Sequence, residues 1–138
     1  MKYLIVKTGE AKTLSSRDSV PALATFDLGG DFAITAFNPA TRTAGLAREI
    51  YGEALENFLR TLLSPDTTLI YPVLQIRIIG GSADATSTAK FKEAFKAIQQ
   101  ADEGKDFINI VAAEIGGKPF PQSFKLTAFD GQVGAIES

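Results

Sequence analysis

Only two stretches of this chain place apolar residues at helical spacing, and they interrupt a long succession of short β-branched and aromatic runs. Leu55, Phe58, Leu59 and Leu62 recur at i, i+3, i+4 and i+7 opposite Glu53, Glu56, Asn57 and Arg60, which predicts an amphipathic helix stopped at Ser64-Pro65-Asp66. A second helix is expected from about Thr88 to Gln100, with Phe91, Phe95 and Ile98 as its buried stripe, Ala94 between them, and Lys90, Lys92, Glu93, Lys96 and Gln99 solvated. Strands are expected at Tyr3–Lys7, Ala22–Phe26, Phe32–Phe37, Ala44–Ile50, Leu69–Ile79 with a bend at Pro72, Phe107–Ala113, Ser123–Phe129 and Gln132–Ile136. Leu28-Gly29-Gly30-Asp31, Asn38-Pro39 and Asp130-Gly131 carry turn chemistry between them, and Ser15 to Ser19 reads as a loop. Two helices among eight or nine strands predict an α+β fold: one domain over residues 1–138, a layered sandwich of mixed β-sheet with the helices on one face.

A chain of 138 residues with 45% hydrophobic content is long and apolar enough for one core. Its 14 basic and 16 acidic residues are dispersed, so it carries no basic footprint for a phosphate backbone, and nucleic acid is not an expected partner. The apolar run after Met1 is too short for a signal peptide, and no stretch approaches the ~18 apolar residues of a membrane span. The expectation is a cytoplasmic protein with no membrane insertion.

The chain has no cysteine and no histidine. Cysteine is the most nucleophilic common side chain, and histidine alone titrates unperturbed near neutrality, so Cys-His, Ser-His-Asp and His-ligated zinc sites are excluded. Gly80-Gly81-Ser82 follows a predicted strand and precedes a helix, where a phosphate cradle can form, but it lacks both G-x-G-x-x-G spacing and Gly-Lys-Ser/Thr and reads better as a turn. Asp18, Asp31, Asp84 and Glu114 border loops without the spacing of a cation-binding loop, and read as turn-forming or solvated carboxylates. No metal or cofactor is expected. Thr25 and the serines have no histidine to activate them, which leaves lysine or a carboxylate as the base.

Several landmarks nonetheless occur in a familiar order. Leu28-Gly29-Gly30-Asp31-Phe32-Ala33-Ile34 resembles the L-G-S-C-V-A-V nucleophile turn of CheD, the bacterial chemoreceptor glutamine deamidase family. Asn38-Pro39 is similar to that family's D-P turn, and Gly45-Leu46-Ala47-Arg48 to its G-[LM]-x-H strand. Ile76 to Ser82 resembles its K-I-x-G-G-A strand and turn, Glu114-Ile115-Gly116-Gly117 its D-x-G-G loop, and Phe124 to Val133 its closing hairpin. The similarity is collinear over roughly residues 20 to 135.

The resemblance implies a CheD-like fold in which Asp31 stands at the cysteine position, Arg48 at the histidine and Thr25 at an orienting threonine. Only the threonine is retained. Aspartate does not replace a thiolate in ordinary amide attack, and an always-protonated arginine is no general base. The expectation is therefore a catalytically inactive CheD-like protein with a binding or regulatory role in bacterial signalling, its partner a chemoreceptor or CheC-like protein. Its expected binding rim comprises Leu28, Gly29, Gly30, Asp31, Arg48, Gly81, Ser82, Gly116 and Gly117. Two alternatives are an amidase using Thr25 or Asp31, and a small-ligand-binding protein on the same fold. Asp31 and Arg48 are expected to pair, because an arginine fork suits a carboxylate.

Overall fold

A computed structural model describes residues 2–63, 74–105, 107–115 and 121–136. The expected helix stop at Ser64-Pro65-Asp66, the bend at Pro72 and the rim positions Gly116 and Gly117 lie outside the described residues. Described in chain order are strands β1 (Tyr3–Ile5), β2 (Ala11–Ser15), β3 (Ala22–Thr25), β4 (Phe32–Asn38) and β5 (Thr43–Arg48), helix α1 (Gly52–Leu62), strand β6 (Leu74–Gly80), helix α2 (Ala85–Asp102), and strands β7 (Ile108–Ile115), β8 (Phe124–Thr127) and β9 (Val133–Ala135). They form a four-stranded sheet in the order β1-β3-β8-β9 and a five-stranded sheet in the order β2-β5-β4-β6-β7. Parallel pairs β1/β3 and β6/β7 make both sheets mixed; the second pair is joined through α2. This is the α+β sandwich expected from the sequence. Neither described helix is long and apolar enough to cross a membrane.

Strand alternation divides the core into two layers. On β4, Phe32, Ile34 and Ala36 join Ala47, Ile76 and Ile78 beneath Leu55, Leu59 and Leu62 of α1 and Ala94, Ala97, Ile98 and Ala101 of α2. The intervening Ala33 and Phe37 face the other way, into a cluster with Leu23, Leu46, Ile79, Phe124 and Leu126 between the sheets. Both faces of β4 are thus covered, and all seven of its residues are buried. The hairpin turn after β4 is tied to the helical layer. Asn38 donates through Nδ2 to the Leu62 carbonyl at 2.9 Å, satisfying a carbonyl at the end of α1, while its Oδ1 accepts from the Ala40 N–H at 3.0 Å.

Two expectations are corrected. Ala11–Ser15 is a strand beyond those expected, and it takes in Ser15, expected to begin a loop; it lies at the sheet edge against β5, and only Leu14 among its residues is buried, so its alternation is faint in the sequence. Helix α2 begins at Ala85, because Asp84 caps it by accepting the Ser87 N–H at 2.7 Å. Its buried stripe is Ser87, Ala94, Ala97, Ile98 and Ala101. Phe91 is half-buried and Phe95 is exposed, the two rings stacked with centroids 6.1 Å apart. Small alanines let α2 pack closely on α1, and the larger Phe95 lies at the margin of a cavity of about 330 Å³ beside Ile108 and Ile110.

Candidate functional site

Strand parity brings three distant residues to one end of the space between the sheets. Thr25 ends β3 on the side of Leu23, Arg48 ends β5 on the side of Leu46, and Asp31 precedes β4 on the side of Ala33, the register partner of Arg48. Sequence separations of 17 and 23 residues thereby become direct contacts.

Arg48 is buried and its guanidinium is held by four hydrogen bonds. Nε donates to Asp31 Oδ2 at 2.8 Å, Nη1 to Thr25 Oγ1 at 3.0 Å and to the Phe26 carbonyl at 2.7 Å, and Nη2 to the Asp27 carbonyl at 2.9 Å. The expected Asp31–Arg48 pair is present. A buried charge needs such compensation, since taking it out of water costs several kcal/mol. Thr25 accepts from Arg48 because its own proton is directed to the Val6 carbonyl, 2.7 Å away. Asp31 Oδ2 also accepts from the Thr8 hydroxyl at 2.8 Å, and this carboxylate keeps a partial opening to solvent.

The residue that follows β5 reaches a second ion pair. Glu49 Oε2 accepts from the Phe32 N–H at 2.8 Å and from the Tyr51 hydroxyl at 2.5 Å, and Oε1 accepts from Lys90 Nζ at 2.7 Å. Burial would raise the Glu49 carboxyl, but hydrogen bonds from Lys90, Tyr51 and Phe32 outweigh it and hold the group below its usual value. Tyr51 is pushed well up, first by burial and then by the adjacent Glu49. Lys90 is raised chiefly by its hydrogen bond to Glu49. This clasp ties β4, β5 and α2 together beside Asp31. Sequence reasoning misses Thr8, Glu49, Tyr51 and Lys90, because nothing local distinguishes them from surface polar residues.

The expected rim is corrected in part. Gly29, Gly30 and Ser82 are exposed and Asp31 is partly so, whereas Leu28 is buried in the inter-sheet core and Arg48 and Gly81 are buried as well. The turn at the rim is anchored from behind by Gln122, whose carbonyl accepts from Leu28 N at 2.9 Å and whose Oε1 accepts from Gly29 N at 2.9 Å. Ser82 belongs to the start of α2, its hydroxyl donating to Asp84 Oδ2 at 2.7 Å. The carboxylates considered as cation ligands have separate tasks: Asp18 closes a turn by accepting from Ser15 N, Asp84 caps a helix and Asp31 holds Arg48. Among the described residues no three acidic side chains gather to hold a metal ion.

Neither a protein-family model nor a curated protein matches this chain.

Proposed function

We propose that this chain is a catalytically inactive CheD-like domain that acts as a binding or regulatory protein in bacterial signalling. The Asp31–Arg48 ion pair carries this reading. It occupies the positions where the resemblance places a nucleophile and its base, and each group neutralises the other's chemistry. The carboxylate is engaged by a permanently charged guanidinium that has no lone pair with which to take a proton. Hydrolysis through Thr25 is disfavoured by the direction of its proton, which is committed to a backbone carbonyl. Arg48 is buried with its guanidinium engaged, which favours a protein partner at the surface over a ligand bound at these residues.

The surface left for recognition is the turn at Gly29, Gly30 and Asp31 with Ser82 beside it. The resemblance suggests a chemoreceptor or CheC-like protein as partner, in the cytoplasm. Gly30 offers a clean test: a Cβ there meets nothing within 4 Å and its φ lies outside the left-handed region, so the fold accommodates a larger side chain. Gly30→Trp should weaken binding to a partner recovered from the host at least tenfold, while Lys96→Glu on the solvated face of α2 leaves it unchanged. Equal affinities for the two variants would count against a partner that reads this rim.

A further inference from the structure

The residues around the Arg48 guanidinium make further contacts of their own. Thr25 Oγ1 is oriented by its bond to the Val6 carbonyl. Asp27, whose carbonyl accepts from Nη2, holds a left-handed φ of 52° that is costly for a residue with a side chain, and its N–H is pinned to Ser123 Oγ at 3.0 Å. Leu28 N is bonded to the Gln122 carbonyl, Asp31 N to the Leu28 carbonyl, and Asp31 Oδ2 to the Thr8 hydroxyl. Four acceptors from residues 25, 26, 27 and 31 converge on one planar cation.

We infer that this end of the sandwich is a guanidinium-recognition site, filled in cis by Arg48, and that the occupant sets the shape of the turn from Phe26 to Asp31. The geometry stands whether or not the domain is CheD-like. The acceptors match a planar fork, which presents N–H donors along several in-plane directions; an ammonium is a compact point charge with three donors and cannot reach all four acceptors together. A guanidinium ion or a small alkylguanidinium is thus the ligand class for the vacated site, and the partly exposed Asp31 carboxylate gives it a charged entrance. Gly29 and Gly30 lie on the same turn, so the exposed rim rests on the seated guanidinium.

Arg48→Ala tests this with free guanidinium chloride as the probe. At millimolar concentration, guanidinium should raise the melting temperature of Arg48→Ala by several degrees and restore amide-exchange protection at residues 26–31, while leaving the wild-type protein unchanged or slightly less stable. Adding Asp31→Asn to Arg48→Ala should abolish the rescue. Ammonium or sodium chloride matching guanidinium's effect would overturn the proposal, as would no effect of guanidinium on Arg48→Ala. Arg48→Lys supplies a second variant should the alanine protein fail to fold. It keeps the charge but not the fork and should lose protection at residues 26–31; protection equal to wild type would overturn the proposal independently.

Discussion

A Cβ built on Gly80 would lie 2.2 Å from the carbonyl oxygen of Asp31. The contact is backbone against side chain, so no rotamer change relieves it, and the Gly80 φ of 114° is itself hostile to any residue with a Cβ. The same Asp31 carbonyl accepts the Gly81 N–H at 3.1 Å, so the glycine pair lets the end of β6 close over the residue that holds Arg48. Gly80→Ala should cost at least ~2 kcal/mol and loosen the Asp31–Arg48 contact. Urea unfolding checks the first expectation, and amide exchange at residues 28–32 the second.

Arg48 donates to three acceptors besides Asp31, on Thr25, Phe26 and Asp27, and all of them lose that donor when the arginine is removed. Arg48→Ala should therefore cost about 3–5 kcal/mol, whereas Asp31→Asn should cost about 1–3 kcal/mol, because the other three acceptors continue to hold the guanidinium. A double-mutant cycle should give a coupling of about 0.5–3 kcal/mol. Additive losses would show that the two residues act independently.

The clasp around Glu49 predicts pH dependence at both ends of the scale. Its carboxyl is depressed below the ordinary 4.5, so the stability it supplies is present above that pH and is lost as pH falls through the depressed value. The Tyr51 phenol is raised above its ordinary 10.0, so its contribution is present below pH 10 and is lost as pH rises beyond it. Lys90, raised from 10.5, follows the same direction as Tyr51. Thermal melts across pH should show a shallower acid limb for Glu49→Gln and a shallower alkaline limb for Tyr51→Phe, each relative to wild type.

On α2, side-chain size and burial disagree, which makes a direct comparison possible. Ile98 is 3% exposed and Phe95 is 38% exposed. Ile98→Ala should cost about 2–5 kcal/mol and Phe95→Ala under about 2 kcal/mol, although phenylalanine loses more atoms. Denaturant midpoints measured with equal m-values would settle the order.

The elements with strong patterns were legible in the sequence: the helical spacing of α1, the apolar run of β4, and the strands flanking glycine and Asx turns. Strand β2 was not, because an edge strand with one buried residue carries little pattern. Large side chains mislead about the stripe of α2; the alanines at 94, 97 and 101 are its buried face, and their small size permits close approach to α1. At the site, the pairing of Asp31 with Arg48 could be anticipated from aligned landmarks. The backbone carbonyls of Phe26 and Asp27 could not, since they depend on the left-handed turn at Asp27, nor could the Glu49–Lys90 contact across 41 residues.

The most direct measurement of the central proposal is ammonia release from glutamine peptides and chemoreceptor fragments incubated with the purified protein. A chain in which Asp31 and Arg48 hold each other should release none above a no-protein control, and Asp31→Asn and Thr25→Ala should behave identically to wild type. Release above the control that either substitution abolishes would contradict the account and establish an amidase built on Thr25 and Asp31.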